Sequence, residues 1–282
     1  MARPRRPWPD PDKLSLFSAA TTLVIVLNRW PALQTPLWTW QGPEAPSGTI
    51  HISPQSLLIL ILAALGLTGT DWVLRDHPAY PSLRSRGLWH ALLPTFALDA
   101  LATLIRDWPM GWTWLFVLLF GLVSVLVILI AEFIVVDPQD PRALWANWAL
   151  QAMGYGLFFL FTLGLYQGRW PLLARPFLLA VAAWFIGHRL WALQAPRASL
   201  GPEGFTLALL AAHWGWALSL LREVGLAPAG ASLLLLAAVY GWTQVVMGLL
   251  QGHATRDAFR MALGPSLAFV LLALLFWGDG TL

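Results

Sequence analysis

The chain has 282 residues, 58% of them hydrophobic and only 11% charged, with a formal net charge of +3 and no cysteine. With a mean hydropathy of +0.65 it is too apolar for an ordinary soluble domain and falls in the membrane class. The lack of cysteine excludes disulfides, thiolate nucleophiles and Cys-ligated metal or iron–sulfur sites, and a small basic excess spread over such a chain is no pointer to nucleic acid.

Residues 1–13, with Arg3, Arg5, Arg6 and Lys13 among prolines, are expected to form a basic arm on the cytoplasmic side ahead of an uncleaved first span at 14–27. A loop rich in proline and glycine follows to about residue 53. Continuous apolar runs then predict helical spans at 54–73, 88–105, 112–136, 144–166, 171–191, 205–221, 229–250 and 259–277. Backbone amides in lipid must be paired within the segment, and these runs do not alternate as barrel strands would. The expected fold is therefore all-α, a polytopic transmembrane bundle of about nine spans forming one integral-membrane domain over 14–282. Its partner is the lipid bilayer, with other membrane proteins as further partners.

The basic residues give the orientation. Of the 17 Lys and Arg, twelve fall on segments that are cytoplasmic if the N-terminus is inside, and the other five on outer segments. That bias predicts a cytoplasmic N-terminus and an outer C-terminus. Eighteen tryptophans are far more than a core needs, so those near span ends (Trp30, Trp72, Trp89, Trp108, Trp112, Trp145, Trp170, Trp191, Trp277) read as interfacial anchors.

Ionisable groups within spans are costly, so each calls for a partner or a function. They are Asp71, His90, Asp99, Glu132, His188, Arg189 and His213. The stretch Ala131–Arg142 concentrates acidic groups: an apolar run carrying Glu132 ends in Asp137-Pro138-Gln139-Asp140-Pro141-Arg142, which reads as a rigid hairpin between two spans. Glu132 and Asn147 lie five residues either side of that turn, at equal depth, which predicts a Glu132–Asn147 contact. Asn147, Gln151 and Tyr155 share one helix face, as do Tyr240, Gln244, Gly248 and Gln251 on a later span. Asp71 and Arg75 read as a local i,i+4 salt bridge. Asp99 sits mid-span without a cation in its own helix and requires either protonation or a partner such as His213.

No Walker A, GxSxG or HExxH motif, no aspartate-rich prenyl-diphosphate pair and no paired intramembrane aspartates of protease type occur, so no catalytic residue is expected. Intramembrane histidines could ligate a b-type haem, but these lie at different depths, and no cofactor and no metal are expected. The Gly241-x6-Gly248 spacing suits close helix packing rather than phosphate binding.

Ala131-Glu132-Phe133-Ile134-Val135-Val136-Asp137, Gly69-Thr70-Asp71 leading to His77-Pro78, and His213-Trp214-Gly215-Trp216-Ala217-Leu218 together resemble an uncharacterised family of polytopic bacterial membrane proteins, a domain of unknown function. The resemblance implies an integral inner-membrane protein and carries no assigned activity. Two functions fit the residues. In one, the polar groups are interhelical glue in a structural or assembly component. In the other, Glu132, Asn147, Gln151, His90 and His188 line a cytoplasm-facing vestibule for a small molecule or lipid, with Asp99 as the coupling carboxylate of a transporter.

Overall fold

The computed structural model describes residues 8–30, 33, 35, 37–41, 49–80, 87–106, 109–168, 174–194 and 201–277. Among them are nine α-helices: α1 (Pro11–Leu27), α2 (Pro54–Leu74), α3 (Gly87–Arg106), α4 (Trp112–Ile134), α5 (Ala143–Gln167), α6 (Ala174–Gln194), α7 (Gly201–Glu223), α8 (Pro228–Leu250) and α9 (Thr255–Leu274). Eight of these, α2 to α9, are long and apolar enough to cross a membrane. The first is not: α1 has 17 residues, about 25 Å at 1.5 Å each, the lower limit of a spanning length. The expectation of about nine spans is met by nine helices among the described residues, eight of them candidate spans. The helix also starts at Pro11, which puts Lys13 in its first turn rather than in an extended arm; residues 1–7 of that arm lie outside the described residues.

The helix starts follow from local chemistry. Proline opens α1, α2 and α8, where its missing N–H would have no partner anyway. Asp10 caps α1 by accepting from the Asp12 amide at 2.9 Å, and Ser53 caps α2 in a reciprocal box with Ser56. The expected loop between α1 and α2 contains a short antiparallel ladder, β1 (Trp38–Gln41) against β2 (Thr49–Ile52), with Trp38 opposite Ile52 and Gln41 opposite Thr49.

The chain divides into two compact units, Met1–Met153 and Gly154–Leu282. In the first, small residues let helices approach closely. A Cβ on Gly66 would lie 2.8 Å from the Thr95 Cα of α3, Gly69 accepts the ring of Phe17 from α1, and Gly121 accepts Leu101. On α4, Leu118, Val125, Ile128, Leu129 and Glu132 are buried, while Phe116, Leu119, Phe120, Val123 and Val127 stand exposed on another side. That is the helical period of a segment with one face on protein and one apolar face left for lipid.

In the second unit α6 and α7 interlock reciprocally, Leu207 packing over Gly187 and Leu179 over Gly215. The α8–α9 seam is tighter. Gly248 faces Ala258, and Gly241 faces Ser266, whose hydroxyl would stand 2.9 Å from an added Cβ; a Cβ on Gly230 would stand 3.2 Å from the Ala273 carbonyl oxygen. Ser266 Oγ donates to the Ala237 carbonyl oxygen at 3.3 Å across the same seam. The Gly241-x6-Gly248 spacing therefore does what its residue types predict.

Tryptophan placement needs one correction. Trp30, Trp72, Trp112, Trp145 and Trp277 are exposed as interfacial anchors should be, but Trp191 is fully buried and its indole donates to the Thr243 carbonyl oxygen at 3.3 Å. A tryptophan near a helix end can equally be core when its N–H finds an acceptor. Trp108 and Trp170 lie outside the described residues.

Candidate functional site

A cluster of polar residues of the first unit lies at one end, where α1 and α3 begin, α2 and α4 end, and α5 starts. The turn between α4 and α5 is built from two successive Asp-Pro-x units. Asp137 Oδ1 accepts from the Gln139 amide at 3.0 Å, and Asp140 Oδ1 from the Arg142 amide at 2.8 Å. Each aspartate thus mimics a backbone turn while the proline fixes the next residue. The expected rigid hairpin is this double turn. Asp140 also holds the Arg142 guanidinium, with Nη2 to Oδ2 at 2.6 Å, and Arg142 lies over the ring of Trp8 at 4.7 Å.

The end of α2 uses the same device. In His77-Pro78-Ala79 the His77 Nδ1 accepts from the Ala79 amide at 3.1 Å, and the ring meets Phe133 edge-on with centroids 4.8 Å apart. Burial pushes the His77 pKa down; Asp137 and Asp140 oppose this, and Arg142 adds to it. His77 is therefore a neutral imidazole with its proton on Nε2. Beside it Asp71 accepts from the Tyr80 hydroxyl and from Arg75 Nε at 2.9 Å, and Lys13 reaches Asp76 at 2.7 Å and the Trp72 carbonyl oxygen at 3.2 Å. Asp71–Arg75 is the local i,i+4 pair the spacing predicts.

At the centre of this end, His90 Nδ1 on α3 lies 2.9 Å from Glu132 Oε2 on α4. The Glu132 side chain is 0% exposed and that of His90 9%. This overturns the expected Glu132–Asn147 contact: Glu132 bonds to the span that precedes it in sequence rather than the one that follows, and Asn147 Oδ1 is buried with no hydrogen-bond partner among the described residues. Equal depth across a short turn does not settle which way two side chains face, because each rotates 100° per residue around its helix.

Asp99 lies nine residues beyond His90 on α3, about 13 Å along the axis and half a revolution round it. Its Oδ1 is buried and has no hydrogen-bond partner among the described residues. Gln151 is half-buried one turn beyond Asn147. His188 belongs to the second unit, half-buried beside the buried Arg189. His213 is exposed, and its Nδ1 donates to the Leu209 carbonyl oxygen of its own helix at 2.8 Å.

The polar stripes of the second unit do meet. Tyr155 and Thr243 hydroxyls are 2.6 Å apart, Tyr155 and Tyr240 rings are 5.0 Å apart, and Gln251 Nε2 donates to Gln194 Oε1 at 3.1 Å. These are interhelical bonds of the kind that lock membrane bundles. Two groups lie beyond the candidates that sequence reasoning selects. His77 shares its x-Pro turn signature with Asp137 and Asp140, and that signature is the signal that points to it. Arg175 and Arg222, at helix ends of the second unit, enter a sequence reading only as topological charges.

Helices this long and apolar, closed by small-residue seams and by polar contacts buried between them, define a multi-pass α-helical membrane protein. Residues 38–278 match a family described as protein of unknown function (DUF5656), and the chain belongs to that family. No curated protein and no solved structure matches the chain.

Proposed function

We propose that the protein is a structural or assembly component of a bacterial plasma membrane, acting through contacts with other membrane proteins. The observation that carries this reading is the His90–Glu132 pair, with a glutamate side chain 0% exposed and hydrogen-bonded across two helices. A carboxylate used to bind or carry a solute needs access to water; one enclosed in this way fastens α3 to α4. The exposed apolar row of α4 supplies a surface for a neighbouring membrane protein. Counting α1 as a short crossing, the basic-residue bias favours an N-terminus in the cytoplasm and a C-terminus outside.

A second reading, a small-molecule or lipid transporter, rests on the buried Asp99 Oδ1 without a hydrogen-bond partner among the described residues. Intramembrane carboxyls of that kind serve as proton relays. Reconstitution decides between the two. Purification in native nanodiscs followed by mass spectrometry is expected to recover a membrane-protein partner in fixed stoichiometry, and proteoliposomes of the protein alone are expected to hold a proton gradient. A gradient that collapses with the wild type and survives with Asp99→Asn would overturn the assembly reading in favour of transport.

A further inference from the structure

Arg175 and Arg222 stand at one end of the second unit, in the first turn of α6 and the last turn of α7. Both guanidiniums reach the end of α5. Arg222 Nη1 donates to the Tyr166 carbonyl oxygen and the guanidinium lies over the Tyr166 ring at 5.8 Å; Arg175 Nη2 donates to the Gly168 carbonyl oxygen at 3.1 Å. A helix C-terminus carries about half a negative charge, which a single cation answers. Here two full positive charges are brought to it, close enough to repel each other. Among the described residues neither arginine forms an ion pair with a carboxylate, and Glu223, next to Arg222 in sequence, is exposed.

Each guanidinium also keeps a donor unused. Arg175 Nε and Arg222 Nε are both buried and have no hydrogen-bond acceptor among the described residues. A buried charged N–H without an acceptor is costly, and here two of them stand beside a double charge that no carboxylate among the described residues answers. Capping of α5 explains one donor on each arginine and leaves the Nε atoms and most of the charge unexplained. The Nε edge of a guanidinium is half of the fork that grips a phosphate or carboxylate. A tetrahedral oxyanion has oxygens enough for two forks, and helix ends of a multi-pass protein lie near the phosphate level of the bilayer.

We propose that Arg175 and Arg222 form a binding site for a phosphate group, supplied by an anionic phospholipid headgroup or by free phosphate. The test uses the full-length protein in detergent and follows its thermal midpoint against added phosphatidylglycerol, inorganic phosphate, or sodium chloride at matched ionic strength. A saturable rise with phosphatidylglycerol alone assigns the site to a lipid headgroup, and a rise with inorganic phosphate assigns it to free phosphate. The double variant Arg175→Gln/Arg222→Gln should weaken the effective probe at least tenfold. Should it not fold, Arg175→Gln alone, which keeps the Arg222–Tyr166 contact, should weaken it severalfold. No rise with either phosphate probe, an equal rise with sodium chloride, or unchanged affinity in the variant that folds overturns the proposal.

Discussion

The α3–α4 contact and the α8–α9 seam fasten adjacent helices by opposite means. Between α3 and α4 a buried histidine and a buried glutamate meet at 2.9 Å beside the packing of Leu101 on Gly121, so part of the attachment lies in two side chains keeping their partner. Between α8 and α9 glycine, alanine and serine let the backbones themselves come together, with Gly248 against Ala258 and Gly230 against a carbonyl of α9. Lipid tails are as apolar as leucine, so burying leucine between helices gains little inside a bilayer; packing and hydrogen bonding are what remain. The two regions weight them differently: α3–α4 adds a buried histidine–glutamate pair to the packing of Leu101 on Gly121, whereas α8–α9 rests on several small-residue contacts with one hydrogen bond from Ser266. A polar lock should fail abruptly when one partner is removed, whereas a packed seam should fail in proportion to the volume added.

The largest effect is expected from Glu132→Ala, which takes from His90 the carboxylate it bonds. Breaking a buried pair from one side costs about 3–5 kcal/mol, whereas replacing both members by apolar residues of similar volume is often close to neutral. Thermal unfolding in detergent should therefore show a steep loss for Glu132→Ala and substantial recovery in His90→Leu/Glu132→Leu. If the double variant is as unstable as the single one, the pair is not an independent lock. At the seam, Gly248→Val should cost about 1–3 kcal/mol by overpacking, because the first added carbon already lies 3.1 Å from the Ala258 Cα. Gly156→Ala on α5 is the matched control: a methyl there meets nothing within 4 Å, so the same assay should register no loss.

How much of this is legible in sequence follows the same division. Apolar runs and proline starts place α2 and α8 to within a residue, since length and the missing proline donor are local properties. The seam is legible because small residues seven apart state their own purpose. The partner of Glu132 is not, because periodicity gives the face a residue occupies but not which neighbouring helix covers that face. Trp191 misleads for the same reason: position near a span end suggests an anchor, and only the acceptor at Thr243 makes it core. The β1–β2 ladder hides in a segment whose proline and glycine content suggests loop, and the arginine pair hides because charges at span ends are ordinarily read for topology alone.

The smallest expected effect separates the regions by pH. The seam contacts at Gly230, Gly241 and Gly248 involve no ionisable side chain, whereas the polar end of the first unit contains His77, held neutral by burial and accepting from the Ala79 amide. Protonating Nδ1 would destroy that hydrogen bond and place a cation against Arg142, although Asp137 and Asp140 partly compensate. Because the folded pKa lies below the unfolded value of about 6.5, the unfolded chain binds more protons in the window between the two. Stability contributed by His77 is thus fully present above about pH 6.5 and is lost as pH falls through that window to the folded pKa. The thermal midpoint should decline from pH 7.5 towards pH 5, and His77→Gln should flatten part of that decline while Gly248→Val leaves its slope unchanged. Equal slopes in the wild type and His77→Gln would show that the titrating group lies elsewhere.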